Sequence, residues 1–194
     1  EDRQQVRENV RKRLDHEAES IHYTLRMLHR GGQVIDVEAH GSRAEYNGRP
    51  AILGTLLDIT ERKQAEEALR ENERLLRLVM DLVPHHIFAK DAQGRHLFAN
   101  RACAAANGLT PEQMVGRSNL ELGANRAEAE TFMRADQEVI ASGQPKVIPE
   151  EQATDHTGKT LCFQTIKVPF IAPGTGEPAV LGVALNEVFV PLLQ

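Results

Sequence analysis

The 194-residue sequence predicts an α+β fold in which helices and antiparallel strands occur in separate runs. Apolar and polar residues alternate over 21–27 and again over 35–39, which is the period of a half-buried strand. The Asn47-Gly48 pair is typical of a tight hairpin turn. An internal repeat with an offset of 126 to 128 residues predicts two related blocks rather than one larger domain.

The first block, residues 1–60, is predicted to be one helix followed by a three-stranded meander. Val6, Val10 and Leu14 are spaced by four, which favours a short helix over 3–14. The turn signals that separate the strands are Gly31-Gly32 and Asn47-Gly48. The three strands are expected at about 21–27, 35–39 and 51–59.

Residues 61–84 are predicted to form a linker helix, because 61–83 contain no Gly or Pro and Pro84 ends the run. Apolar positions recur at intervals of 4, 3, 4, 3 and 4 residues, the spacing of a coiled-coil seam. An amphipathic helix that packs on its own domain is the alternative, since about three heptads make a short coiled coil. The seam positions are Ala65, Leu69, Asn72, Leu76, Val79 and Val83.

The second block, residues 85–190, is predicted to contain five strands and three helices. Asn100 is placed to cap an alanine-rich helix, Thr110-Pro111 to start a short one, and Gly143 to end a longer one over 128–142. The strands are expected at 85–92, 95–99, 146–155, 160–171 and 179–188.

The two blocks end alike. Gly32-Gln33-Val34 leads through a strand to Gly54, as Gly158-Lys159-Thr160 leads through a strand to Gly182. The two additional residues fall in the loop 173–177, where insertions are tolerated. A repeat of this length predicts tandem domains.

Composition narrows the range of functions. The net charge of −5 disfavours a nucleic-acid partner, and no apolar run is long enough for a membrane span, so a cytoplasmic location is expected. Cys103 and Cys162 form no metal-ligand pattern and fit free thiols in a reducing compartment. Neither a nucleophile–base motif nor a phosphate-binding glycine loop is present in the sequence, so the chain is expected not to be an enzyme.

Three motifs resemble those of PAS sensory domains. Residues 58–63, Asp-Ile-Thr-Glu-Arg-Lys, resemble the motif that ends a PAS domain. Residues 87–91, with Gly94-Arg95 and Asn100, resemble its first strands, and 110–116 resemble the short helix that closes over its pocket. The resemblance implies a five-stranded antiparallel sheet with helices on one face, complete in 85–190. It also implies that residues 1–60 are the C-terminal half of a preceding PAS domain, so that the chain starts in mid-domain.

The resemblance further implies a ligand site between sheet and helices. Members that form flavin adducts need a cysteine after Gly116, and 116–120 has none, while a haem ligand on the long helix is absent because 128–142 has no histidine. Flavin and haem are therefore disfavoured, and no metal site is expected, since the adjacent His85 and His86 of a strand point to opposite faces. His96 is likewise interpreted as an ordinary strand residue.

The pocket candidates follow from aligning the second block with the family pattern. Glu151 is expected to form an internal ion pair with Lys90 or Lys167. Two interpretations stay open: a filled core with no ligand, or a small polar metabolite held by Lys90. The candidate ligand-binding residues are Phe88, Lys90, Phe132, Met133, Asp136, Glu151, Phe163, Thr165 and Ala184.

Two functions follow from these observations. The first is the sensory or signal-relay input region of a bacterial protein of histidine kinase or diguanylate cyclase type, acting on a downstream output domain. The second is a ligand-free interaction module. Both involve a homodimer formed through the linker helix and the exposed partial sheet. Asn186 and Val188 replace the Asp and Thr found at 58 and 60, which weakens the link to a helix after the second block.

Overall fold

A computed structural model describes residues 2–186 and confirms the α+β architecture. The chain divides into two compact units between Glu73 and Arg74. The first unit contains a three-stranded sheet and the second a five-stranded sheet, both antiparallel. The elements are α1 Asp2–Leu14, β1 Ser20–Leu28, β2 Val34–Tyr46, β3 Arg49–Asp58, α2 Thr60–Leu82, β4 His86–Asp91, β5 His96–Ala99, α3 Arg101–Ala106, α4 Pro111–Met114, α5 Arg126–Ser142, β6 Lys146–Thr154, β7 Thr160–Ile171 and β8 Pro178–Asn186.

The three-stranded sheet has the order β1-β2-β3 and confirms the predicted meander. The strands are longer than the alternation indicated, because β2 continues through small and charged residues as far as Tyr46. Asn47 and Gly48 both have positive φ, 53° and 72°, as a two-residue type I′ turn requires.

One face of this sheet is covered by α1. The inward side chains of β2 include Val37, 3% exposed, and Ala39, 5% exposed. α1 therefore covers part of the partial sheet that was expected to be exposed, although Leu56 on the same face is 64% exposed. On the opposite face Leu53 and Leu57 are also open, at 74% and 58%.

The junction of β3 and α2 is held by side-chain hydrogen bonds. Asp58 Oδ1 accepts bonds from Thr60 N at 2.9 Å and from Thr60 Oγ1 at 2.6 Å, and Thr60 Oγ1 accepts a bond from the backbone N–H of Asp36 at 2.9 Å. Lys63 Nζ completes the set by pairing with Asp36 Oδ1 at 2.8 Å. The last strand, its neighbour and the first turn of α2 are thus joined by four polar side chains and two backbone amides.

The linker helix α2 has 23 residues, none of them buried. Its five leucines and Val79 are more than half exposed, including Leu76 at 67% and Val79 at 52%. An extended apolar surface of this kind on a helix fits a partner better than solvent.

The five-stranded sheet has the order β5-β4-β8-β7-β6 and carries α3, α4 and α5 against it. Its core is a cluster of Phe88, Ala99, Cys103, Ala104 and Met114. The predicted helix signals are confirmed: Asn100 Oδ1 accepts from Cys103 N at 3.0 Å, and Gly143 ends α5 with a φ of 64°. The described part of β8 ends at Asn186, so the expected end of this strand at 188 and of the domain at 190, with Val188, lies outside the described residues.

The two units share strand register throughout one hairpin. Nine of the ten pairs between β2 and β3 correspond to a pair between β7 and β8 with offsets of 126 and 128, so Gly41 opposite Gly54 matches Lys167 opposite Gly182. The repeat seen in the sequence is thus also a repeat of backbone hydrogen bonding. In the first unit Gly41 lacks a side chain, and Arg13 from α1 fills the space: a Cβ on Gly41 would lie 1.9 Å from Arg13 Nη1.

Candidate ligand-binding site

A cavity of about 90 Å³ lies between the five-stranded sheet and the helices α3 and α5. All five strands supply side chains to its sheet side, where alternation along a strand directs residues two apart to the same face. The residues lining it are His86, Phe88, Lys90, His96, Cys103, Ala106, Asn107, Met114, Asn119, Ala124, Glu128, Phe132, Glu151, Ala153, Thr154, Asp155, Leu161, Phe163, Lys167 and Ala184.

Buried charges at the inner end of this cavity meet on Asp136, a residue of α5 that is 2% exposed. Lys167 Nζ donates to Asp136 Oδ1 at 2.6 Å, and Lys90 Nζ donates to Asp136 Oδ2 at 3.4 Å. Each carboxylate oxygen therefore faces one ammonium group, and the two lysines come from different strands, β7 and β4. The arrangement joins α5 to both strands of the sheet.

Glu151 adds a second carboxylate, with Oε1 3.4 Å from Lys167 Nζ. The register of β6 against β7 shifts between Ile148 and Glu151, which makes Pro149 and Glu150 a bulge in an edge strand. A bulge changes which face the following residues occupy, and it is this shift that turns Glu151 toward the cavity. With two lysines and two carboxylates, the set of four side chains is formally balanced in charge.

Lys90 is the cation with the weakest polar contacts in this set. Burial first, and then the neighbouring Lys167, lowers the pKa of its ammonium group, although Asp136 acts in the opposite sense. Its Nζ lies 4.7 Å from the centroid of the Phe88 ring and 5.9 Å from that of Phe132, so aromatic faces take the place of further acceptors.

His96 is buried and donates its Nδ1 proton to the carbonyl of Arg117, 2.8 Å away, because a carbonyl oxygen can only accept. The Nε2 atom of this tautomer carries a lone pair. Burial, and after it the charge of Lys90, lowers the pKa of His96 to about 4, so the ring is neutral at pH 7. Burial likewise raises the pKa of Cys103 to about 11, which keeps this thiol protonated and unreactive.

The apolar side of the cavity depends on Gly182. The Phe88 ring lies directly over this residue of β8, and a Cβ at Gly182 would come within 2.3 Å of Phe88 Cζ. Ala184, two residues further along the same face, is also small. Small residues on β8 thus let an aromatic ring lie flat between strand and ligand space.

The structure brings six of the nine sequence candidates together as cavity lining: Phe88, Lys90, Phe132, Glu151, Phe163 and Ala184. Asp136 lies beneath them, bonded to both lysines. Two candidates depart from the expectation. Met133 lies one residue from Phe132, about 100° around the helix, and lines a neighbouring cavity of about 110 Å³. Thr165 shares the inward face but is covered completely, and its Oγ1 has no hydrogen-bond partner among residues 2–186.

Sequence reasoning missed several lining residues, among them His86, His96, Asn107 and Asn119. The signal for His86 was available, since it precedes Phe88 and Lys90 by two and four residues and so shares their face. The two asparagines lie outside the strands, where alternation cannot predict which way a side chain points.

Asn100 links this site to the end of the linker helix. Its Nδ2 atom lies 3.0 Å from Met80 O, 3.3 Å from Val83 O and 2.9 Å from His85 O, while Oδ1 accepts from Ile87 N and Cys103 N. Since the amide has two protons, the three carbonyls share them. Ile87 directly precedes Phe88, which lines the cavity. The fully buried side chain of Asn100 therefore connects α2 to the wall of the cavity.

The match to known families agrees with this geometry: residues 80–186 match the family described as PAS fold, which is more than half of the chain. The chain therefore belongs to the PAS family. Over 60 residues it is 33% identical to the virulence sensor protein BvgS of Bordetella pertussis, a stretch that covers 31% of this chain and 5% of BvgS. The chain thus spans a small fraction of the curated relatives it matches.

Two solved structures are similar in fold. The PAS domain of an HTR-like protein from Haloarcula marismortui has a TM-score of 0.53 and 21% identity, covering 64% of this chain and 98% of that one. The VqmA dimer of Vibrio cholerae has a TM-score of 0.53 and 20% identity, covering 62% and 54%, and VqmA has also been solved bound to DPO. At these identities the likeness shows the fold alone. Within residues 2–186, no helix has both the length and the apolar character of a membrane span.

Proposed function

We propose that this chain is a sensory and signal-relay module of a bacterial sensor protein, and that its second unit binds a small carboxylate-bearing metabolite through Lys90. The observation that carries the proposal is that the Lys90 ammonium group is buried with few hydrogen bonds. The side chain is 4% exposed, yet among the described residues the only hydrogen bond of its ammonium group is the 3.4 Å contact with Asp136. An ammonium group has three donors, so Lys90 has donors left for a ligand.

A carboxylate suits this position for electrostatic reasons. Asp136 is closer to Lys167 than to Lys90, by 2.6 Å against 3.4 Å, and Glu151 also lies beside Lys167. Both protein carboxylates therefore interact more closely with Lys167 than with Lys90. A ligand carboxylate beside Lys90 would stabilise its charged form and restore the pKa that burial lowers.

The cavity volume limits the size of the metabolite. About 90 Å³ is room for a ligand of a few carbon atoms and is far smaller than a flavin or a haem. The aromatic rings of Phe88, Phe132 and Phe163 provide the apolar contacts, and the side chains of Asn107 and Asn119 add amides on the helix side. The volume supports the expectation that neither flavin nor haem is the ligand.

Relay of binding is proposed to run through Asn100 to α2. Displacement of the β4 wall on ligand binding would alter the bond from Ile87 N to Asn100 Oδ1, and the same side chain donates to the carbonyls of Met80 in α2 and of His85 just after it. The parent protein is proposed to be a histidine kinase or diguanylate cyclase whose output domain follows this chain.

Residues 1–60 are proposed to be the C-terminal half of a further PAS domain, and the shared strand register supports this proposal. Residues 61–84 would then be the linker and 85–190 the complete domain.

The experiment is a ligand screen on the purified chain by thermal shift, followed by calorimetry with two- to six-carbon mono- and dicarboxylates. Lys90→Met keeps the length and apolar contacts of the side chain but removes its charge, and Lys159→Met removes the charge of an exposed lysine in a turn. We expect at least one carboxylate to bind, with affinity reduced about tenfold or more by K90M and unchanged by K159M. Equal affinity for K90M, or no binding across the series, would overturn the proposal.

A ligand-free dimerisation module is the second candidate, favoured by the exposed leucines of α2 and β3. Leu53, Leu56 and Leu57 are 58–74% exposed, and β3 is an edge strand of its sheet. The partner proposed for this surface is a second copy of the chain, because such patches and edges rarely stay open. A truncated chain starting at Glu61 is expected to keep the second unit folded and to lose part of its association in sedimentation equilibrium. Unchanged association after truncation would argue against the sheet as an interface.

A further inference from the structure

Two histidines and a glutamate converge on the outer face of the three-stranded sheet. His22 in β1 lies directly opposite His40 in β2, and Glu38 precedes His40 by two residues and shares its face. β-pairing therefore places three potential metal ligands side by side, on the face opposite to α1. His22 and His40 are exposed and Glu38 is partly buried, so an ion in water could reach them.

The side chains are already close to the geometry of a common ligand set. Their ligating atoms all lie within 4.8 Å of one another, and His22 Nε2 is 2.9 Å from Glu38 Oε1. Ligand atoms on one tetrahedral zinc ion are about 3.3 Å apart, given metal–ligand bonds of about 2.0–2.1 Å. Small rotations of exposed side chains would bring the three atoms to that spacing, without movement of the backbone.

The arrangement of the two rings is also informative. The imidazoles of His22 and His40 stack with centroids 3.9 Å apart and planes 14° apart. The stacking places the two imidazoles side by side on this face, and each can bind a metal ion through a ring nitrogen.

The second unit supplies an internal comparison. By the register of the two sheets, the positions of His22, Glu38 and His40 correspond to Val147, Gln164 and Ile166. The same backbone framework is thus formed with two aliphatic residues and an amide. The pairing of these strands does not require histidine or glutamate at these positions, so the presence of two histidines and a glutamate needs another explanation.

We infer that His22, Glu38 and His40 form a surface site for a divalent transition-metal ion, with zinc as the natural occupant. Two imidazoles and one carboxylate are donors that zinc and its neighbours bind well, whereas magnesium and calcium prefer oxygen ligands alone. Three protein ligands leave the remaining coordination positions to water. A bound ion would link β1 to β2 and would stabilise the first unit.

The experiment titrates zinc chloride into the full-length chain after treatment with EDTA, in competition with a chromophoric chelator. Nickel and magnesium chlorides are titrated in parallel. The variants are His22→Val, His40→Ile and Glu38→Gln, each of which introduces the residue that the second unit carries at the matching position. His29→Ala removes an exposed histidine of the same unit that lies outside the cluster.

We expect one zinc ion per chain, binding of nickel but not of magnesium, and a loss of about tenfold or more in zinc affinity in each of the three variants. His29→Ala should bind as the unaltered chain does. Thermal unfolding adds a second readout: zinc should raise the midpoint of the unaltered chain and of H29A but not of E38Q, whose fold circular dichroism can verify. The inference is overturned if zinc does not bind, if E38Q and H40I bind as tightly as H29A, or if magnesium competes equally.

Discussion

Asp136 Oδ1 lies 2.6 Å from Lys167 Nζ, with both side chains no more than 3% exposed, and this ion pair fixes the long helix of the second unit to the sheet beneath the cavity. The same carboxylate is the nearest acceptor to Lys90. The Asp136 carboxylate is thus shared by two buried ammonium groups. It stabilises the packing of the helix on the sheet, and it also determines how far the positive charge of Lys90 is left unpaired and able to attract a ligand.

Replacing Asp136 by Asn should destabilise the second unit strongly. The change leaves two ammonium groups buried without their shared carboxylate, and removal of one partner of a buried pair costs about 3–5 kcal/mol. Urea denaturation followed by circular dichroism measures the effect. Glu138→Gln is the matched control, since Glu138 is on the same helix but paired with Lys146 at the surface, and its replacement should change the free energy of unfolding far less. Similar losses in the free energy of unfolding for both variants would contradict the conclusion that the buried pairs of Asp136 stabilise the second unit.

Stability should fall as the pH is lowered from neutrality, with His96 as one cause. The unfolded chain binds a proton at this ring near pH 6.5, whereas the folded chain binds it only near pH 4. Between these values the unfolded state carries the additional proton, so the stability present above pH 6.5 is lost progressively toward pH 4. The change attributable to this group is on the order of 3 kcal/mol.

His96→Gln tests that assignment, because glutamine can still donate to the Arg117 carbonyl but does not titrate. Denaturation curves at pH 7 and pH 5 should differ less for H96Q than for the unaltered chain. An unchanged difference would show that other groups cause the acid sensitivity, of which His86, whose pKa burial also lowers, is the first to consider.

Asn100→Asp should loosen the end of α2 while leaving the start of α3 intact. Aspartate keeps the oxygen that accepts from Ile87 N and Cys103 N, but it cannot donate to the carbonyls of Met80 and His85 and places a negative charge beside them. We expect a loss of about 2–4 kcal/mol. Hydrogen exchange should increase at residues 80–87 more than in β7. Asn107→Asp, which affects a single bond to Cys103 O, is the milder comparison, and equal effects of the two would remove Asn100 from the proposed relay.

Replacing Leu76 and Val79 by Asp should shift the chain toward monomer, because both occupy the seam that the 3–4 spacing defines and through which a dimer is proposed. Sedimentation equilibrium measures the change in mass. The matched control is Leu75→Asp with Leu78→Asp, since these two leucines are 55% and 54% exposed but lie off the seam. Dissociation by both double variants, or by neither, would count against a coiled coil formed at that seam.

Much of the fold was predictable from local patterns. Alternation marked the strands, the Asn47-Gly48 pair marked a type I′ turn, and Asn100 and Gly143 marked helix ends, because each of these signals acts through a residue's own backbone geometry or its nearest hydrogen bonds. The resemblance to PAS domains implied which strand parity faces the pocket, and the structure finds Phe88, Lys90 and Phe163 at the cavity.

What the sequence determined by itself is therefore the class of fold, the order of its elements and the face on which most strand residues lie. The tertiary structure decided the rest. Which lysine pairs with Asp136, how a bulge at Pro149 turns Glu151 inward, and that His22 meets His40 across two strands all depend on register between segments distant in the chain. Register follows from the packing of the whole sheet, and local patterns of residues do not specify it.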